Sequence, residues 1–318
     1  MTATSSSPSA TAASPGEGLR TWPPRRWARK RVRRWQWSGY IYLAPALAFY
    51  AAFTLVPIAD TAWTSFYAWD GLTQAEWIGL ENYRDALTNP AIHTALSHSL
   101  SYIAFYALLP TALALMLAGS MIRIRVRGLT AFRSILFVPQ VLSSVVVAVA
   151  WRWIYDGAGP LNASLEAVGL GGLARPWLGD FDFALPAVGL IGTWVQVGLI
   201  LMLFLAGTQR ISPDLYEAAR VDGAGAVREF FAVTVPGLRS EIRIALVLST
   251  IFALRNFDIV WNTTAGGPGS STTVPSIYIY RGAFLTREVG WAASIAVLLT
   301  LLIFMLAGVI LGTLRDRD

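Results

Sequence analysis

Apolar residues in this chain fall in long uncharged runs, separated by polar stretches that carry arginine, glycine or proline. The clearest run, Ile41 to Ala59, holds no charged residue. At ~1.5 Å per residue it reaches about 29 Å, enough to cross the hydrocarbon core of a bilayer. Runs of the same character cover about 96–118, 134–155, 184–206, 241–262 and 289–313. The pattern predicts six transmembrane helices in an all-α polytopic membrane protein.

Between the fourth and fifth runs lies a polar segment of another design, Ser212 to Pro236. Ser212 is a good N-cap, Pro213 suits the first helical position, and Asp214 puts negative charge at the positive helix end. Gly223 stands where a helix ends on a left-handed residue. A second short helix is expected over roughly Ala226 to Ala232, running into Pro236. A plain connection between spans needs no such pair. A rigid helix pair is better explained as a docking element for another protein.

The arginines orient the chain. Basic residues number eight before Ser38, four between Gly119 and Arg133, five between Gly207 and Arg243, and two after Thr313. The alternate loops hold only Arg84, then Arg152 and Arg175, then Arg281 and Arg287. The positive-inside rule therefore puts both termini and the helix pair in the cytoplasm. The net charge of +6 reads as a topology signal and an attraction to lipid headgroups, not as a nucleic-acid surface. A hydrophobic share of 55% against 14% charged residues agrees with a membrane protein. Residues 1–18 are too weakly apolar to fold, and the Trp/Arg-rich stretch from Arg20 to Trp37 suits the inner headgroup surface. The first apolar run is too long for a cleavable signal and is expected to stay as an anchor.

Candidate chemistry is sparse. There is no cysteine, and the only lysine, Lys30, follows no glycine loop, so no Walker A lysine is present. His93 and His98 stand five apart, a poor spacing for joint metal ligation on a helix. The fifth run is the least apolar, carrying Arg255, Asn256, Asp258 and Asn262. In one continuous helix Arg255, Asp258 and Asn262 share a face. That face reads either as a polar lining of a translocation path or as a structural ion pair at a helix end. Trp194 and Gln196 in the fourth run are further candidates, because a ring stacks on a pyranose and an amide bonds its hydroxyls.

The spacing Glu217-Ala218-Ala219, three residues, Gly223, nine residues, Val233-Thr234-Val235-Pro236 resembles the EAA loop of ABC-importer permease subunits. Val233 and Val235 stand where that family pattern has Ile and Leu. Gly79-Leu80-Glu81-Asn82-Tyr83, Trp151 to Asp156, and Phe257-Asp258 followed by Thr264-Ala265-Gly266-Gly267-Pro268 resemble segments of sugar-importer permeases. Together these matches run from about residue 40 to 313.

The resemblance implies a type I ABC importer (MetI-like) transmembrane domain. Its parts are a basic N-terminus (1–37), a first span (38–63), a five-helix core (94–313) with its loop at 208–239, and a tail (314–318). The implied partners are a second homologous permease, two ATPase subunits and an extracytoplasmic solute-binding protein, with a disaccharide or oligosaccharide as cargo. No cofactor is implied in this chain; ATP and magnesium belong to the ATPase. Leu215, Ala218, Ala219 and Val221 are implied to enter the ATPase's groove, Glu217 to pair with a basic residue there, Asp222 to belong to the same docking element, and Gly223 to permit the reversal between the two helices. The rival class, an ion-coupled secondary transporter, calls for intramembrane carboxylates and repeated halves. Only Asp258 answers to that.

Overall fold

The computed structural model describes residues 32–123 and 128–313. The expectations for the N-terminus up to residue 31, for the arginines at 125 and 127, and for the tail lie outside the described residues. Residues up to Pro57 and from Ile58 onward form two compact units. The first contributes helix α1, Val32–Tyr50, and a π turn at Ala51–Leu55. Helical rotation continues through Val56–Thr64 across the boundary.

The second unit opens with a two-stranded antiparallel hairpin, β1 (Tyr67–Ala68) and β2 (Glu76–Trp77), with Tyr67 opposite Trp77. Helix α2 (Glu81–Thr88) leads into α3 (Pro90–Met121), a long rod with a π turn at Ala104–Leu108. Then come α4 (Leu129–Val141), α5 (Ser144–Ile154), α6 (Pro160–Ala167) and the 25-residue α7 (Ala184–Thr208). Helix α8 is Pro213–Val221; α9 starts as Ala226–Glu229 and runs on through a π turn, Phe230–Thr234, to Val235–Gly237. The last four are α10 (Arg239–Leu254), α11 (Asp258–Thr263), α12 (Pro275–Arg281) and α13 (Val289–Thr313).

Helix α7 is the hub of the unit, packed by α3, α4 and α10. It is apolar on all sides, as a helix buried by its neighbours must be. Glycine makes the packing close. A Cβ on Gly192 would lie 2.1 Å from the Tyr106 ring, and one on Gly198 would lie 1.9 Å from the Leu136 carbonyl oxygen. Around α7 are two apolar clusters, one with Tyr102, Val188, Ile191 and Ile277, the other with Ala118, Leu201, Phe204 and Leu238. Helix α13 is buried only in its first half; beyond it Leu301, Phe304, Met305 and Val309 are exposed. Such an uncharged apolar surface suits lipid and is costly in water.

Two of the six expected spans are not continuous. Among the described residues, four helices are long and apolar enough to cross a membrane, Tyr40–Thr64, Pro90–Met121, Ala184–Thr208 and Val289–Thr313. The run at 134–155 is two helices meeting at 102°, a fifth span if the pair is taken as one. Leu142 and Ser143 are extended there, and the Ser143 carbonyl restarts the ladder by accepting from Val147 N at 3.0 Å. Pro139, within α4, has already removed one backbone donor. The run at 241–262 breaks at Arg255 to Phe257. Asparagine is a weak helix former, and the Ser276 hydroxyl bonds the freed Asn256 carbonyl at 2.8 Å. Arg255 therefore ends one helix and Asp258 begins another, and the shared face expected for Arg255, Asp258 and Asn262 does not exist.

The seam at Gly198 yields a stability prediction. Gly198→Ala drives a methyl into a backbone carbonyl, an overpacking fault worth about 1–3 kcal/mol. The purified protein in detergent is expected to lose several degrees of melting temperature. An unchanged melt would show that the α4–α7 seam is looser than described.

Candidate functional sites

The helix pair forms as its local signals require. Ser212 caps α8, its Oγ accepting from Asp214 N at 3.3 Å, and Pro213 takes the first turn. Gly223 has φ +76°, and the chain end bonds back twice, Ala224 N to Ala219 O at 2.9 Å and Gly223 N to Arg220 O at 3.0 Å. Both bonds belong to the Schellman closure, which satisfies the last carbonyls of the helix. The second helix extends past the expected Ala232 to Gly237, because the π turn carries it through Pro236.

Two side-chain contacts brace the pair. Tyr216, buried in α8, places its hydroxyl 3.2 Å from that of Thr234. Arg220 Nε donates to Glu229 Oε2 at 3.2 Å, and Glu229 is almost fully buried. The roots are held as well. Leu238 is fully buried in the second apolar cluster, Ile211 packs against Gly237, and Arg210 pairs with Glu241.

The other face is bare. Leu215 and Val221 are 55% and 87% exposed, and Ala218, Glu217 and Asp222 are exposed beside them. Ala219 is half-buried, so its part of the expected face belongs partly to the turn. Val227 and Phe231 on α9 are exposed too, but they line a groove shared with Met116 and Tyr216. Apolar side chains thus stand free on a rigid support.

A second site lies inside the bundle. The α4–α5 elbow, α7 and the break before α11 enclose a cavity of about 240 Å³ lined by Tyr106, Gln140, Gln196, Arg255, Asn256 and Asp258 among others. Of the candidates read from sequence, it gathers Gln196, Arg255 and Asp258. Trp194 is absent from its lining and packs edge-on against Trp151 at 5.6 Å. Asn262 is also outside, its amide donating to the Asp258 carbonyl at 2.8 Å. Arg255 and Asp258 form no ion pair with each other among the described residues.

Gln140, Asn256 and Tyr106 complete this lining. The Gln140 Oε1 and Gln196 Nε2 atoms are buried without a protein partner, and Asn256 stands beside them with its side chain toward the Tyr106 hydroxyl. Each such group costs about 1–3 kcal/mol, so their convergence marks a place for a polar ligand. Gln140 Oε1 accepts and Gln196 Nε2 donates, the complement a hydroxyl compound requires. A polar residue next to Pro139 in an otherwise apolar run was the sequence signal for Gln140.

At the opposite end, the hairpin, α2 and the start of α13 border an open cleft of about 1000 Å³ with Trp69, Asp70, Glu76, Arg287 and Trp291 in its wall. Asp70 shapes its rim. Bonds from Thr73 N, Leu72 N and the Thr73 hydroxyl hold its carboxyl down to about 2. Asn82 is buried, donating to the Ser65 and Tyr67 carbonyls at 2.9 Å each, which fixes the hairpin on α2. The two histidines do not meet. His93 bonds the Leu87 carbonyl and His98 the Thr273 carbonyl.

Residues 111–317 match the family described as the binding-protein-dependent transport system inner membrane component. The chain is 34% identical to the probable ABC transporter permease protein YurN of Bacillus subtilis, over 84% of this chain and 92% of that one. It is 30% identical to the sulfoquinovosyl glycerol transport system permease protein SmoG of Agrobacterium fabrum, over 91% and 96%. Against the lactose transport system permease protein LacF of Rhizobium radiobacter it is 29% identical, over 88% and 95%. A solved bacterial ABC transporter for import of the acidic polysaccharide alginate shares the fold, with TM-score 0.74 and 22% identity over 90% of this chain and 99% of that one. The chain belongs to the binding-protein-dependent permease family. It is a membrane permease with a MetI-like fold.

Closure of α8 generates a local prediction. Gly223→Val forces a β-branched residue into the left-handed region, at a cost of about 1–2 kcal/mol. Amide exchange across 213–224 is expected to accelerate about tenfold, 1.4 kcal/mol being a factor of ten, with Ala184–Thr208 unchanged. Exchange that stays slow in the pair would refute the closure.

Proposed function

We propose that this chain forms half of the translocation path of an ATP-driven sugar importer, with a disaccharide or oligosaccharide as cargo. The observation that carries the reading is the braced helix pair with its bare apolar face. It supports docking of a separate ATPase, which binds the ATP and magnesium. The working assembly contains a second homologous permease, two ATPase subunits and an extracytoplasmic solute-binding protein. Both termini and the helix pair lie in the cytoplasm. The cleft walled by Trp69 and Trp291 then faces outward, where the binding protein delivers its load.

The cavity supports the sugar as cargo. Its amide and phenol groups suit hydroxyls, Phe252 and Phe257 add ring faces, and Arg255 and Asp258 balance in charge. That balance favours a neutral sugar. Relatives named for lactose and for multiple-sugar transport point to the same class of cargo. In the cycle, ATP closes the ATPase dimer and carries the helix pair with it; the spans open toward the binding protein, and hydrolysis reverses the change. The driving energy is the difference in affinity of the ATPase for the two states, not the contact alone.

Two variants test the reading in cells given a panel of labelled disaccharides. Glu217→Lys is expected to cut uptake at least tenfold with membrane insertion intact, by reversing the charge beside the docking face; full uptake would exclude the docking role. Asp258→Ala is expected to shift the concentration for half-maximal uptake. A fall in protein abundance with that concentration unchanged would exclude the cavity.

A further inference from the structure

The helix pair is tied to its chain neighbours at both roots, through Ile211 and Arg210 on the α7 side and Leu238 and Glu241 on the α10 side. A further contact ties the pair to a helix remote in sequence. Phe230, at the start of the π turn in α9, lies on the backbone of α3 at Gly119. A Cβ built on Gly119 would stand 2.6 and 2.7 Å from two carbons of the ring. Only a residue without a side chain lets the ring seat there.

The surroundings of this contact are open. A groove of about 400 Å³, mostly apolar, borders it, with Met116, Ser120, Tyr216, Phe231 and Thr234 in its wall. The pair therefore meets α3 through the ring and has room to tilt beside it. Behind Gly119 the path is solid. Ala118 and Ala114 of α3 are fully buried against Leu201 and Leu205 of α7. Farther along, Thr193 of α7 donates to the Phe105 carbonyl in the π turn of α3 at 2.5 Å, one turn from Gln196 in the cavity.

We propose that Phe230 seated on Gly119 is the positioning contact that converts tilting of the helix pair into displacement of α3 and α7, and so opens and closes the polar cavity. The inference rests on the reading of the pair as the ATPase-docking element. Phe230 touches no cargo and no nucleotide. Its role is to pass thrust to a helix that the chain itself does not connect to the pair.

The chain has no cysteine, so labels can be placed singly. Ser144→Cys and Phe252→Cys put spin labels on two walls of the cavity in the assembled permease–ATPase complex, and the probe is ATP with orthovanadate. The parent complex is expected to show a shifted label distance on adding the probe. Phe230→Ala and Gly119→Ala are each expected to lose that shift while the ATPase still copurifies. The double variant Gly119→Ala/Phe230→Leu, which trades ring bulk for the added methyl, is expected to regain it. A shift that persists in both single variants overturns the contact and leaves the docking reading standing. A parent complex that shows no shift, or that holds no ATPase, overturns the docking reading and the contact with it. Single variants that lose the shift with no recovery in the double variant overturn the steric mechanism.

Discussion

Lipid offers no hydrogen bond, so any helix broken at membrane depth must be repaired by protein. The architecture turns on that constraint. The α10–α11 break survives because Ser276 bonds the Asn256 carbonyl, and the π turn of α3 is met by Thr193 at the Phe105 carbonyl. The α10–α11 break leaves Asn256 in the cavity wall. The α4–α5 elbow brings Gln140 there, and both meet Gln196 of α7, an unbroken hub helix whose glycines draw its neighbours close. A bundle of six unbroken helices would have no such interior.

Features with local causes were legible in the sequence. Ser212, Pro213 and Gly223 act within a few residues of themselves, and α8 formed with the cap and left-handed closure they specify. Four apolar runs became helices long and apolar enough to span, near the expected bounds. The breaks were not legible, because their causes are distant. Asn256 yields its helical bond in part because Ser276, twenty residues later, replaces it. Pro139 is hidden in an apolar window, and the 102° turn follows only from extended backbone at Leu142 and Ser143.

The candidate residues divide by the same rule. Gln196, Arg255 and Asp258 were found as polar residues in apolar company and do meet, though from separate helices and not along one face. Trp194 was chosen for ring chemistry that a packing role on Trp151 also satisfies. Gln140 entered the site through the elbow. Phe230 and Gly119 carried no signal at all, since a phenylalanine and a glycine some hundred positions apart are ordinary until folding stacks them.

On the function proposed above, the two sites divide the labour: the cavity handles the cargo, and the helix pair receives the force from elsewhere. Cross-linking from a single cysteine in native membranes tests this most directly. With Leu215→Cys in the bare face, the account predicts a covalent adduct identified by mass spectrometry as a Walker-type ATPase, while Phe304→Cys on the exposed apolar flank gives none. A Leu215→Cys chain that stays uncoupled to any ATPase while still accumulating sugar would contradict it.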